Sequence, residues 1–485
     1  MIDMKKILVV AALFVMALGG SARAQIWNTY TVKNSEIGGD WILALATDSK
    51  NNKWVGTTLG LCKLSGKTWS DYAMFNEKLK NQFVNCLTVD QQGTLWIGTD
   101  DYGVIEFNGT RWTEHDKQTR QLNMQYISEI AIDRNNVKWI GVTLGGLVRY
   151  DGTDWKKFNH DNSDLLSDFI LCVTIDKKNQ KWIGTNEGLS VFDGKNWTSY
   201  TTRNCGMPDN IVSDIAIDRN DVKWIGTLGG LCRFDGQNWL IYNRTNSPLP
   251  SNQINALVFD NNGLLWIATD KGVAVFDGAK NWKVFTPQNS PISSGVIRDI
   301  AIDNQGVKWF GTDMQGLVRY AGHGVMGRIS DDKGNPKAGV KVQCGNTTVA
   351  TDENGVYYCD VETGSSLVVK PLCEGRTVEP QQITLANVSN FAFNQDFTVS
   401  SGLVAGGSST EKVMVNPYLE QGYITITMES PQAEVEFVNS KGVSVRTIPQ
   451  YQNNAKITIS KMPKDNYTLY IRTAKGEKSL QFNLK

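Results

Sequence analysis

One short motif constrains this chain more than any other feature. WVGT at Trp54 returns as WIGT at Trp96, WIGV at Trp139, WIGT at Trp182 and Trp224, WIAT at Trp266 and WFGT at Trp309, at spacings of 42, 43, 43, 42, 42 and 43 residues. Each of these Trp follows an Asp by six positions: Asp48, Asp90, Asp133, Asp176, Asp218, Asp260 and Asp303. A fixed period of this size means one small structural unit repeated, each unit burying its apolar face against the next. Short strand-like pieces and Gly-rich turns within the period are the mark of a β-propeller.

Each repeat divides into four strand-like pieces. In the third they read YISEIAID, KWIGV, GLVRYDG and WKKF, separated by RNNV, TLGG and DGTD, whose Gly, Asn and Asp suit tight turns. The fourth piece carries a second Trp series with an aromatic or His three residues on, from Trp69/Tyr72 through Trp112/His115 to Trp282/Phe285. Repeat seven stops at Arg319-Tyr320 without this piece, which is found instead at Trp27-Asn28-Thr29-Tyr30. The expectation is an all-β chain whose residues 25–322 form a seven-bladed propeller closed by its amino-terminal strand, so that the ring has no open sheet edge. Fourteen of the 15 Trp are then blade-to-blade packing and not a sugar-stacking array.

The pattern D-x5-W-[IVF]-G-T followed by G-[LV]-x3-[FY]-[DN]-G-x2-W resembles the two-component regulator propeller repeat over about residues 26–321. That family is common in periplasmic sensor halves of hybrid histidine kinases from gut Bacteroidetes and in free secreted proteins. Unlike the sensor kinases, this sequence shows no transmembrane, kinase or output segment after the repeats.

Residues 1–24 read as a secretory signal: Lys5 and Lys6, an apolar run from Ile7 to about Leu18, then Ala22-Arg23-Ala24 before Gln25. The run is too short to span a membrane. The expected location is therefore outside the cytoplasm, extracellular or at the cell surface, alternatively periplasmic. Eight Cys in an exported chain invite a disulfide reading. Yet Cys86 and Cys172 share one repeat position, and Cys62 and Cys232 another, too far apart around a ring to bond. They are expected to be buried thiols, and one pair among Cys344, Cys359 and Cys373 is free to form.

Residues 323–399 resemble a carboxypeptidase regulatory-like domain, a prealbumin-type β-sandwich, through Gly327, Ile329, Asp331, Gly334, Pro336, Gly339 and Val340, then Thr351, Asp352, Gly355 and Tyr357. The module implies no peptidase. Residues 400–411 read as a flexible linker by composition. Residues 412–485 resemble the carboxy-terminal sorting domain of the type IX secretion system, through Asn416-Pro417, the strand-turn-strand at Val435–Val445, Tyr467–Ile471, Gly476 and Lys485. A Gly expected before the late-strand Tyr is replaced by Lys464-Asp465-Asn466.

The chemistry-bearing residues are few. The chain balances 49 basic against 49 acidic side chains, which removes the electrostatic case for nucleic acid. HExxH, CxxC and GxSxG are absent. SGKT at Ser65–Thr68 lacks the first Gly of a phosphate loop, that position being Leu61. His115, His160 and His323 are isolated and compose neither a zinc site nor a triad, and no cofactor or resident metal is implied.

Two patterns at the mouth of the ring break the repeat. Seven residues before each Asp stand Trp41, Phe83, Tyr126 and Phe169, then Ile211, Gln253 and Val296: an aromatic half-ring that either stacks a ligand or pins the loops. Four residues before each Asp stand Ala44, Cys86, Glu129, Cys172, Asp214, Ala256 and Asp299, bringing three carboxylates toward the channel, where they either hold a cation through oxygen ligands or line a polar, water-filled channel with Arg298 nearby to offset them. Asp100, Asp101, Glu187, Asp270 and Asp313 add an acidic rim. The expected function is non-enzymatic binding or scaffolding, with a glycan or protein on the loop face. Two alternatives are a propeller lyase or glycan-cleaving enzyme, and an accessory of type IX secretion.

Overall fold

The computed structural model describes residues 26–115, 124–362, 364–373, 376–388, 391–404 and 412–484. The leader at 1–24 and the later part of the expected linker lie outside them. Two compact units are present, one reaching to Ala321 and one from Gly322 to Lys485. Apart from two short 3-10 turns, every regular element among the described residues is a strand.

The first unit holds seven four-stranded antiparallel sheets. In six of them the strands follow one another in the chain, as in Ile127–Ile132, Lys138–Val142, Gly146–Tyr150 and Trp155–Phe158. The seventh is completed by Trp27–Tyr30, which pairs with Leu317–Tyr320 in the register Trp27↔Tyr320. Each innermost strand lies beside that of the next sheet, and Ile297–Ile302 lies beside Ile42–Thr47, so the succession closes on itself.

The repeated residues each have a physical task. Asp133 Oδ1 accepts the N–H groups of Asn135 and Val137, fixing the hairpin turn, while Oδ2 accepts Trp139 Nε1–H at 3.2 Å. The Lys that precedes five of the seven Trp (Leu95 and Leu265 stand in the other two repeats) then reaches back to the previous sheet. Lys138 pairs with Asp90 at 3.3 Å, Lys223 with Asp176 at 3.2 Å and Lys53 with Asp303 at 3.0 Å. The same ammonium groups lie over the previous sheet's Trp ring, as Lys138 does over Trp96 at 4.5 Å. An Asp–Trp–Lys clamp therefore joins most neighbouring sheets, and these lysines are buried because they are paired.

Gly in WIGT permits close approach. A Cβ on Gly141 would stand 2.7 Å from Ile170 of the next inner strand, and one on Gly311 would stand 2.8 Å from Ile42. The second Trp series stacks on the aromatic of the strand beside it, Trp155 on Tyr150 at 4.1 Å and Trp282 on Phe276 at 3.9 Å. His115 takes the aromatic place of its repeat, stacked on Trp96 at 5.7 Å and bonded to Glu106.

The second unit contains two apolar cores, one around Val325, Tyr357 and Phe397, the other around Ile426, Phe437 and Leu469. One sheet runs through both: its strand Phe397–Val404 pairs with Gly322–Asp331 at its start and with Val413–Tyr418 at its end, through Leu403↔Val415 and Val404↔Met414, while Arg376–Glu379 pairs with it as well. Residues 400–404, which composition assigns to the linker, are thus strand. Ser and Gly there are overridden because ladder bonds are made by the backbone whatever the side chain. Cys344 and Cys359 form a disulfide and Cys373 is free, as are the thiols in the sheets of the first unit.

Candidate functional site

Because each four-stranded sheet runs from inside to outside as a meander, the turn between its second and third strands shares a side with the connection to the next inner strand. Backbone bonds tie the two together. Thr58 N–H donates to Trp41 O, Asp100 N–H to Phe83 O, Thr143 N–H to Tyr126 O, Asn186 N–H to Phe169 O and Asp313 N–H to Val296 O. These segments form one loop face around the mouth enclosed by the inner strands.

This face is where the unit leaves its apolar side chains uncovered. Ten large hydrophobic residues of the described first unit are exposed: Val32, Leu59, Met74, Phe75, Phe83, Tyr126, Leu144, Leu228, Leu240 and Met314. By chain position all but Leu240, which is on an outer strand, belong to loop-face segments. These residues are spread over the turns and connections of one side of the ring. The backbone adds to this. Tyr126, Leu144 and Met314 have φ of 55°, 62° and 60°, a left-handed conformation that bulky side chains rarely adopt. An open cleft of about 500 Å³, lined in part by Pro250, Asp270, Lys271, Thr286 and Pro287, lies on the same side.

The expected aromatic half-ring is unequal. Phe83 and Tyr126 are 43% and 49% exposed, whereas Trp41 and Phe169 are half-buried. Trp41 is also covered, since the Arg298 guanidinium lies 5.9 Å from its ring centroid and pairs with Asp313 at 3.1 Å. Arg298 therefore serves the rim and not the channel carboxylates it was expected to offset. Among the described residues no ring contact joins the four aromatics.

The three channel carboxylates do come within electrostatic reach of one another. Every inner strand has a register shift just before this position, as between Ile297 and Asp299. The shift leaves N–H groups that the carboxylates take up. Asp299 accepts Ile300 N–H at 2.7 Å and Leu45 N–H of the next sheet at 2.6 Å; Asp214 accepts Ile215 N–H and Leu257 N–H in the same way. Glu129, one methylene longer, accepts only Ile130 N–H. All three touch solvent but are enclosed by protein. That desolvation raises the carboxyl pKa of Glu129 to about 8, with the Asp214 and Asp299 charges adding to it. It raises Asp214 to about 7 and Asp299 to about 6, against the lowering effect of their N–H donors. Asp214 and Asp299 thus stitch neighbouring inner strands, a task that explains them without a ligand. Among the described residues no group of three His, Cys, Asp or Glu side chains is placed to hold a metal ion.

The turn tips Leu59, Leu144, Leu228 and Met314 were not singled out from sequence. Their only signal is a large apolar residue inside a turn otherwise written in Thr, Asp and Gly.

Comparison with known proteins fits this geometry. Residues 78–101 and 248–271 match the two component regulator propeller family. No curated protein matches the chain. Among solved structures, the extracellular domain of a Bacteroides protein (B. thetaiotaomicron), described as the hybrid two component system BT3049, superposes with a TM-score of 0.55 at 16% identity, over 94% of this chain and 57% of that one. PorZ, a surface component of the type-IX secretion system of Porphyromonas gingivalis, superposes with a TM-score of 0.51 at 13% identity, over 94% of this chain and 60% of that one. Virginiamycin B lyase from Staphylococcus aureus matches at 0.50 and 14% identity, over 60% of this chain and 98% of its own. At these identities the likeness is one of fold, and the chain spans 57–60% of the first two relatives' length. The described residues are all-β, and two of their segments match the two-component regulator propeller family. Its BT3049 and PorZ neighbours are an extracellular domain and a bacterial surface component, and no helix of the described residues is long and apolar enough to cross a membrane.

Proposed function

We propose that this is an exported, non-enzymatic binding or scaffold protein of the bacterial envelope or surface, and that its partner, a glycan or a protein, seats on the loop face. In this reading the seven sheets are the blades of a seven-bladed propeller over residues 25–322. Residues 323–399 are a regulatory-like sandwich, and 412–485 a sorting-like one. The observation that carries the proposal is the one-sided exposure of apolar side chains on an otherwise well-packed ring. Of the three histidines, His115 is packed in the ring core and His323 is buried in a strand of the second unit, which leaves exposed His160, in the connection before Ile170–Ile175, as the one on the loop face.

The likeness to PorZ across 94% of this chain favours a second reading, attachment to the type IX machinery. The two readings separate by co-purification: machinery components retained through residues 412–485 alone indicate transit, while retention that depends on the loop face indicates an assembled role. The first reading is tested with the full chain and a Leu59→Ser, Leu144→Ser, Leu228→Ser variant on glycan arrays and in envelope pull-downs. Binding lost by the variant with its thermal transition unchanged supports loop-face recognition; binding retained overturns it.

A further inference from the structure

The repeat supplies its own comparison at the rim. In the seventh sheet the bulge residue is Arg298, and its guanidinium bridges the Asp313 carboxylate of its own sheet and the Trp41 ring of the next. The second sheet has the same frame. Asp100 takes the place of Asp313 and Tyr126 the place of Trp41, and Tyr126 N–H donates to Asp100 O at 2.7 Å. The bulge residue here is Asn85, which reaches Asp100 Oδ1 at 2.5 Å and is too short to cover Tyr126. Phe83 stands on the other side of the turn, and Asp101 adds a second carboxylate whose partner is the neutral Gln82 amide. Among the described residues no Lys or Arg pairs with Asp100 or Asp101. The arrangement that holds a cation in one sheet is therefore repeated in another, with twice the carboxylates, two exposed aromatics and, among the described residues, no cation paired to the carboxylates.

We infer that the Phe83–Asp100–Asp101–Tyr126 corner is the docking point for a Lys or Arg side chain of a partner polypeptide, whose apolar neighbours lie on Leu144 and the adjoining loop face. This rests on the loop-face reading above and makes the partner a protein with a basic-apolar segment. The chemistry is that of the internal example: a guanidinium is held by a carboxylate on one side and an aromatic face on the other. The aliphatic tip Leu144, 74% exposed, offers no hydrogen bond to a sugar but suits a Leu, Ile or Phe side chain. The backbone strain at Tyr126 and Leu144 is retained in the fold although neither side chain is buried by it. Position and not packing is what these residues supply.

The test is selection of a random-sequence peptide library on the full chain, with affinities of the selected peptides measured against single variants. The expected result is enrichment of Lys or Arg beside aliphatic or aromatic residues. Asp101→Asn and Tyr126→Asn should each weaken binding about tenfold, and the salt dependence should shrink in Asp101→Asn. Asn tolerates the left-handed backbone, so Tyr126→Asn should keep or raise the thermal midpoint, which separates lost binding from lost folding. Peptides without basic enrichment, or ones that bind both variants as tightly as the parent, overturn the inference. If such peptides are lost on Leu228→Ser, the loop-face reading survives without this corner. If binding survives every loop-face substitution, both fall.

Discussion

The Asp–Trp–Lys clamp makes a graded prediction, because the repeats are not equally equipped. Asp303 accepts Gln305 N–H at 3.0 Å, Val307 N–H at 3.1 Å and Trp309 Nε1–H at 3.1 Å, and pairs with Lys53 at 3.0 Å across the closing junction. Asp48 makes the same turn bonds and holds Trp54 Nε1–H at 3.2 Å, but the Lys position of the following repeat is Leu95, and Asn52 Nδ2 fills the place at 2.7 Å. Asp303→Ala removes bonds to a charged acceptor and also strands a buried ammonium. Hydrogen bonds to charged groups contribute about 1.5–3 kcal/mol each without adding fully, and an orphaned buried charge costs about 3–5 kcal/mol. The expected loss is about 4–6 kcal/mol for Asp303→Ala and about 2–3 kcal/mol for Asp48→Ala. Near 2–4 °C per kcal/mol, these become roughly 8–24 °C and roughly 4–12 °C in Tm. All 15 Trp precede residue 310, so Trp fluorescence of the full chain reports the first unit alone. Adding Lys53→Met to Asp303→Ala should recover part of the loss, since no charge is then left unpaired. Equal losses for the two Asp variants, or no recovery in the double variant, would refute the clamp.

Three further outcomes are expected. The channel carboxyls are raised in the folded state, to about 8, 7 and 6 for Glu129, Asp214 and Asp299; the folded chain therefore holds more protons than the unfolded one between about pH 4 and pH 8, and stability falls as pH rises through that window. Urea midpoints at several pH values should show Glu129→Gln flattening this fall, and an unchanged slope would contradict the assignment. Trp27 is buried against Tyr320 at 4.2 Å, so Trp27→Ala should cost about 3–5 kcal/mol, read in the same fluorescence assay. Removing residues 405–485 takes Val415 and Met414 away from Leu403 and Val404, while Gly322–Asp331 and Arg376–Glu379 still pair with the rest of Phe397–Val404; amide exchange in the shortened chain should quicken at Leu403 and Val404 with the rest of that strand protected as before.

The architecture was legible because it is written periodically. Fixed positions for Asp, Trp and Gly recur at each sheet, so the displaced strand Trp27–Tyr30 could be placed from its likeness to the others. The convergence of Glu129, Asp214 and Asp299 followed from the same phase. What periodicity hides is where long side chains go. Lys53, Lys138 and Lys223 look like solvated strand residues, yet their ammonium groups lie over Trp rings and reach carboxylates one sheet back. Arg298 was expected beside the channel and is turned to Asp313 by the bulge it occupies. Exposure is likewise a property of the assembled ring: Leu144 and Leu147 are neighbours in sequence, one a bare turn tip and the other fully buried.

The most direct test of the account is hydroxyl-radical footprinting of the full chain, free and in contact with intact bacterial envelopes. Met74, Met314 and Tyr126 report the loop face, and Leu240 on its outer strand serves as the reference. Loop-face recognition predicts protection of the first three with Leu240 unchanged. Protection of Leu240 while Met74, Met314 and Tyr126 are oxidised as in the free chain would contradict it.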